Sequence, residues 1–348
     1  MVGQRFIALL ADHPWFEVVS VAASPRSAGR PYADAVGGRW KIGSPLPEAI
    51  GKLTVGAVEN DLKAIASTVD VAFCALDLDK ERTKLLEIDY AAAGVAVISN
   101  NSAHRWTEDV PILLPEINPG HVSLIDLQRR NRNWSRGLIA VKPNCSIQSY
   151  VPVLTAWAEF GVDEAVVTML QAISGAGKTF ADWPEMADNV IPFIGGEEQK
   201  SEREPLKVWG KLKADGVDLA EGPRISATCI RVPVSDGHMA SVSMRLKRSV
   251  NREQLIGAIR NFSNPIQKYS LPSAPAKFME YFDGENQPQT KSERQFENGM
   301  GIAVGRLRED PILCWKFVAL SHNTIRGAAG GAVLMAELLA KTGYIIAR

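Results

Sequence analysis

One cysteine, Cys145, stands between an apolar run predicted as a strand, Gly137 to Val141, and a stretch predicted as a helix, Ser146 to Phe160. Pro143 ends the strand, so the thiol falls where a helix start offers unsatisfied N–H groups and the positive end of its dipole. Both favour the thiolate, which is the nucleophile. The junction therefore suits covalent acyl chemistry. It also suits a buried structural thiol, the common state of a free cysteine.

Other candidate groups surround this one in the chain. Arg231 and His238 flank a segment broken by Pro233 and Gly237. Their odd separation would place them on opposite faces of an unbroken strand, but the break allows both to face one pocket. Arginine clamps a carboxylate, and histidine exchanges a proton near neutral pH; a satisfied structural histidine is the other reading of His238. His13, His104, His121 and His322 sit at element ends without ligand-like spacing. Gln171-Ala-Ile-Ser174-Gly175-Ala-Gly177 follows an apolar strand, and its small residues would let backbone N–H groups approach a ligand. Ser24, Arg26 and Ser27 make a donor-rich turn where an NAD site usually carries an acid; it suits a 2′-phosphate or is an ordinary polar turn. Glu197 and Lys200 lie just before a predicted helix, as site groups or as a solvated face. Asn100 to Trp106, with Arg105, ends a predicted strand, the edge at which open α/β sheets bind ligands.

The elements that would position these groups divide the chain in two. Up to about residue 145 short β-rich runs alternate with helical ones, the pattern of a parallel α/β sheet. Helices are predicted at Gly3–Ala11, Leu62–Ser67 and Lys80–Ala93, and strands at Glu17–Ala23, Val69–Leu76 and Val95–Ser99. Further on, strands at Glu164–Ile173, Ile225–Val232, Ala240–Leu246 and Cys314–Leu320 predict a mixed or antiparallel sheet, with a helix at Arg252–Phe262. Thr324–Lys341 reads as a small-residue closing helix that packs back on the first half.

Composition narrows the function. The chain has 348 residues, 46% hydrophobic and 22% charged, as in ordinary globular proteins. A formal net charge of zero gives no electrostatic case for nucleic acid or an anionic membrane. No apolar run approaches the roughly 20 residues that span a bilayer, and no signal-peptide pattern opens the chain. Four scattered cysteines form neither a CxxC pair nor a metal cluster, which points to a reducing, cytoplasmic compartment and no metal.

In order along the chain these segments resemble aspartate-semialdehyde dehydrogenase, in its fungal and archaeal branch. The matching stretches are Val2-Gly-Gln-Arg-Phe, Ser24-Pro-Arg-Ser-Ala-Gly, Ser99-Asn-Asn-Ser-Ala-His-Arg, Leu114-Pro-Glu-Ile-Asn and Pro143-Asn-Cys-Ser. Gln171 to Gly177, Gly196-Glu-Glu-Gln-Lys, Arg231 to His238 and His322 to Gly330 continue the series. The resemblance implies a Rossmann-type doubly wound parallel sheet lacking its first strand, over 1–144 and completed by 323–348. It also implies an α+β catalytic and dimerisation domain with a mixed sheet, over 145–322.

The activity implied is NADPH-dependent reduction of L-4-aspartyl phosphate to L-aspartate 4-semialdehyde, feeding lysine, methionine, threonine and isoleucine synthesis. Cys145, His238 and Gln171 would be catalytic, with His238 as acid or base and helix-start N–H groups holding the oxyanion. Arg231, Glu197, Lys200, Arg105 and Asn144 would bind substrate and phosphate. Gly3, Ser24, Arg26, Ser27, Ser174, Gly175, Gly177 and Asn323 would bind NADP(H). A homodimer or homotetramer is implied. Malonyl-CoA and succinyl-CoA reductases share the scaffold, and a catalytically dead oligomer partner is a third reading. The family's opening strand and the first part of its glycine-rich loop, roughly a dozen residues, are missing ahead of the first match at Val2, so exposed strand edges and a chain that is unstable or binds NADPH poorly are expected.

Overall fold

The computed structural model describes residues 1–348. Its first helix, α1 (Val2–Leu10), turns Phe6, Ile7 and Leu10 inward, a stripe that follows the helical repeat. β1 (Val21–Ala23), α2 (Tyr32–Val36), α3 (Glu48–Gly51), β2 (Val55–Ala57) and α4 (Leu62–Thr68) follow. Then come β3 (Val71–Cys74), α5 (Lys80–Ala92), β4 (Ala96–Ser99), α6 (Leu124–Arg132) and β5 (Leu138–Val141). β4 and β5 are buried at every position, as strands covered on both faces must be.

Two parallel ladders result, β1–β2 and β3–β4–β5. No ladder joins β1 to β3; a cleft of about 510 Å³ separates them, lined mainly by apolar side chains such as Phe6, Val18, Val71 and Phe73. The interrupted parallel sheet agrees with the expected fold class. The strands flanking the cleft are shorter than predicted, β1 starting only at Val21 and β3 spanning Val71 to Cys74. A strand paired on one side only has fewer ladder bonds to hold its ends.

Past Cys145 lie α7 (Val151–Ala156), β6 (Val162–Gln171), α8 (Glu197–Val208), β7 (Lys211–Lys213), β8 (Gly216–Asp218), β9 (Arg224–Arg231) and β10 (His238–Leu246). α9 (Arg252–Arg260), β11 (Met279–Phe282), α10 (Thr290–Glu293), β12 (Ile302–Glu309), β13 (Trp315–Ser321) and α11 (Gly330–Lys341) complete the chain. β7 and β8 form a hairpin. The other strands make one mixed sheet in the order β11-β12-β13-β10-β6-β9, with β6 parallel to β9 and β11 to β12. Ala165, Val167, Met169, Val242 and Met244 alternate inward from β6 and β10. They share one core with Val97, Ile139 and Val141 of the first sheet. α11 packs back on the first half, its Val333, Met335 and Leu339 clustering with Phe6, Leu10, Ile98 and Leu138.

Two helix predictions need correction. The run from Ser146 to Phe160 is a 3₁₀ turn at Ser146–Gln148, then α7, then a second 3₁₀ turn at Ala158–Phe160. Pro152 occupies the first turn of α7, where its missing N–H breaks no helical bond, and so marks a start well past the cysteine. The closing helix begins not at Thr324 but with a π-turn, Ile325–Ala329, ahead of α11. No helix is long and apolar enough to cross a membrane.

Candidate active site

Cys145 lies just past the end of β5, in a loop that Asn144 builds. The Asn144 N–H donates to Glu204 Oε2 (2.7 Å), its Oδ1 accepts from the Ser146 N–H (2.7 Å), and its Nδ2 donates to Glu197 Oε1 (3.0 Å). Gly327, in the π-turn, packs against the other side of the thiol. A Cβ there would stand 2.7 Å from Cys145 Cβ, so no larger residue fits. β10 brings His238 opposite, with Nε2 at 3.5 Å from Cys145 Sγ.

The His238 ring is oriented from behind. The Ala172 N–H donates to Nδ1 (3.2 Å), so Nδ1 is an acceptor and the single ring proton sits on Nε2, facing the sulfur. Burial, with the Arg231 charge adding to it, lowers the His238 pKa to about 3, and the imidazole is neutral at ordinary pH.

The electrostatics of Cys145 correct the sequence expectation. Its thiol is pushed up to about 12, first by burial and then by the Glu197 carboxylate; Arg105, Arg231 and Lys200 oppose this without overcoming it. A lone 3₁₀ turn follows the residue instead of a long helix, so little dipole is available to favour the thiolate. Two N–H groups beside the thiol are already bonded, Asn144 N–H to Glu204 and Ser146 N–H, at the expected helix start, to the Asn144 side chain. The Cys145 N–H, which has no partner, remains, with the Nε2–H of His238 and the Gln171 amide, the latter donating to Glu197 Oε2 at 3.3 Å.

α8 supplies most of the remaining groups, from one face at spacings of three and four. Glu197 and Lys200 lie inside the helix, not before it. Lys200 Nζ donates to Glu197 Oε1 (2.8 Å). Burial alone would raise Glu197, but the Lys200 charge and the hydrogen bonds from Lys200 and Gln171 hold it below the usual carboxylate value. Ser201 hydrogen-bonds Ser146 through their hydroxyls (2.8 Å), and Glu204 bonds Arg105 Nη1 (2.8 Å). Lys207 Nζ donates to the carbonyls of Arg105, Thr107 and Val110 at 2.8, 3.0 and 3.0 Å. Pro205 cannot donate to the Ser201 carbonyl, and the Tyr150 hydroxyl takes that acceptor instead (2.6 Å).

Arg231, at the end of β9, donates from Nη1 to the Ala172 carbonyl (2.7 Å) and is lowered by burial. A Cβ on Gly175 would stand 2.9 Å from Arg231 Nη1 and 3.2 Å from His238 Nε2, so a side chain there would displace the Arg231 guanidinium. Asn323 ties the two loops together, donating from Nδ2 to Ser174 Oγ (2.9 Å) and accepting the Gly237 N–H (2.8 Å).

The residues present also fit a dinucleotide phosphate. The Ser24–Ser27 turn is exposed at the C-terminal end of β1 and holds Arg26 but no acid. α1 has no side-chain cap, leaving first-turn N–H groups without helical partners, and the Gly3 Cα faces open space. Gly177 likewise faces open space beyond Ser174. Of the expected site residues, Cys145, His238, Gln171, Arg231, Glu197, Lys200, Asn144 and Arg105 thus converge around one loop. Ser24, Arg26 and Ser27 stand apart, at the end of β1. Glu204, Ser201 and Lys207 were not expected. Their spacing from Glu197 was visible, but a run of charges reads equally as a solvated face.

Two family models match the chain, "Semialdehyde dehydrogenase, NAD binding domain" over residues 1–125 and "Semialdehyde dehydrogenase, dimerisation domain" over residues 154–326. An aspartate-semialdehyde dehydrogenase of Archaeoglobus fulgidus is 40% identical over 345 residues, covering 99% of this chain and 96% of that protein. The Saccharomyces cerevisiae protein of the same name is 38% identical, with 97% and 94% covered. A crystal structure of the Candida albicans aspartate-semialdehyde dehydrogenase with NADP superposes with a TM-score of 0.86 at 35% identity, over 99% of this chain and 96% of that one.

Proposed function

The chain belongs to the aspartate-semialdehyde dehydrogenase family, and we propose that Cys145, His238, Gln171, Arg231 and Glu197 carry its reaction. The enzyme reduces L-4-aspartyl phosphate to L-aspartate 4-semialdehyde with NADPH and releases phosphate, a step of amino-acid biosynthesis. The observation that carries the residue assignment is the 3.5 Å approach of His238 Nε2 to Cys145 Sγ.

Arg231 grips the α-carboxylate of the substrate with the N–H groups that Ala172 leaves free, and Glu197 receives the α-ammonium. That ammonium offsets the Glu197 charge, which stands second to burial in holding the thiol protonated, so an aspartyl substrate favours the thiolate it needs. The sulfur attacks the acyl carbonyl as its proton passes to the phosphate group, the bond to the phosphate oxygen breaks, and Arg105 and Lys200 receive the hydrogen phosphate that leaves. Bound NADPH supplies hydride to the carbonyl carbon of the resulting thioester. The oxyanion then accepts the His238 Nε2–H and the Gln171 amide. Its collapse breaks the C–S bond and returns the thiolate to the same Nε2–H. His238 works as a neutral donor throughout, because a proton on Nδ1 would meet the Ala172 N–H.

Ser24, Arg26 and Ser27 hold the 2′-phosphate; Gly3, Ser174, Gly175, Gly177 and Asn323 line the rest of the NADP site. The dimerisation-domain match supports an oligomer, which we take to be a homodimer or homotetramer. Residues 1–144 with 323–348 form the NADP-binding domain, and 145–322 the catalytic one.

NADP reduction by aspartate semialdehyde and phosphate tests the assignment. Cys145→Ser should lower kcat by about 10³-fold or more, and residual activity above a tenth of wild type would rule Cys145 out as the nucleophile. Acyl-CoA substrates of the malonyl or succinyl type lack an ammonium, and Glu197 beside Arg231 disfavours them. Glu197→Ala should raise the semialdehyde KM by about tenfold while the NADP KM stays within about twofold; an unchanged semialdehyde KM would remove that argument.

A further inference from the structure

We propose that Glu204 is a positioning residue that builds the phosphate subsite through Arg105 and locks it to the nucleophile loop. This rests on the aspartyl phosphate reading above. Glu204 is 1% exposed and Arg105 5%, and each Glu204 oxygen serves one donor. Oε1 takes Arg105 Nη1–H at 2.8 Å, and Oε2 takes the Asn144 N–H at 2.7 Å. The Arg105 fork is held at two further points, Nε–H to the Lys142 carbonyl (3.0 Å) and Nη2–H to the Asn100 carbonyl (3.2 Å). The plane of the guanidinium is thereby fixed, with one N–H on each terminal nitrogen left for a ligand.

Lys142 and Asn144 belong to the same short loop as Cys145. The fork and the sulfur are thus referenced to one piece of backbone. Lys207, one turn along α8, fixes the main chain of Arg105 through that residue's own carbonyl (2.8 Å). α8 therefore sets the backbone and the side chain of Arg105 independently.

Only a carboxylate fits between these partners. Both are donors, so both atoms facing them must be acceptors; an amide would satisfy one and set its own N–H against the other. The carboxylate also balances the desolvated guanidinium before any ligand arrives, so the fork is preorganised and need not be gathered by the phosphate.

The test uses NADP reduction by aspartate semialdehyde with inorganic phosphate varied. Glu204→Gln should raise the phosphate KM by about tenfold or more, and the semialdehyde KM by less than about threefold. In an Arg105→Met background, adding Glu204→Gln should move the phosphate KM by less than about twofold, since the effect passes through Arg105. Should Glu204→Gln fail to fold, the pair Arg105→Met with Glu204→Met removes both buried charges together and should reproduce the phosphate KM of Arg105→Met alone. Multiplying effects in the cycle, a parallel rise of both KM values, or an unchanged phosphate KM in Glu204→Gln would overturn the role of Glu204. Wild-type activity indifferent to phosphate would overturn the reading it rests on, and the proposal with it.

Discussion

At the scale of single residues, the site keeps its nucleophile quiet until a substrate arrives. Burial and Glu197 hold Cys145 as the thiol, and His238 is a neutral donor aimed at it. Alkylation of Cys145 in the free enzyme should therefore be slow at neutral pH and climb only well above the ordinary cysteine pKa of about 8.5. Glu197→Gln removes one of the two causes of the upward shift, so the alkylation profile should move to lower pH even though substrate binding weakens. A rate already on its plateau at neutral pH in the wild type would show that the thiolate is preformed. His238→Gln should lower kcat by about 10²-fold or more, the loss for one oxyanion donor; a variant within threefold of wild type would place the stabilising donor elsewhere.

At the scale of elements, two short segments determine whether these residues meet. The π-turn at Ile325–Ala329 brings Gly327 against Cys145 with no room for a methyl group. Gly327→Ala should displace the nucleophile loop and lower kcat by about 10²-fold, the usual loss for a misplacement near 1 Å. Intact activity would mean that the loop can yield. Neither this turn nor the role of α8 was legible in the sequence, for different reasons. Small residues from 327 to 332 satisfy a helix pattern whether the ladder runs i−4 or i−5, since periodicity does not report the extra residue. Charges at 197, 200, 204 and 207 look alike whether they meet water or a buried loop. What was legible rested on local steric rules. Pro143 ended a strand and Pro233 with Gly237 broke another, and the structure keeps both breaks. The helix predicted from Ser146 failed where the same rule was passed over, at Pro152.

At the scale of the whole molecule, histidine burial makes a statement about acid stability. His104 and His322 are lowered to about 4, His238 to about 3, and His121 is lowered as well, burial being the leading cause in each. All four are under a tenth exposed. A group whose folded pKa lies below its unfolded value near 6.5 stabilises the fold fully above that value. Its contribution fades as the pH falls toward the folded pKa, because the unfolded chain binds the proton first. Each such imidazole can remove up to about 1.4 kcal/mol per pH unit across that window. His104, His322 and His238 acting together over one to two units already compare with the roughly 5–15 kcal/mol that holds a domain folded. Glu87 has the opposite sign, since burial raises its carboxyl, but it is one group against four. Urea midpoints should therefore fall steeply between about pH 6 and pH 4. His104→Gln removes one of these groups at a site whose hydrogen bonds run to Thr107 and the Lys84 carbonyl, away from the sulfur. That variant should flatten the slope in proportion, and a midpoint that stays level from pH 7 down to pH 5 would show that the buried imidazoles reach water before the chain unfolds.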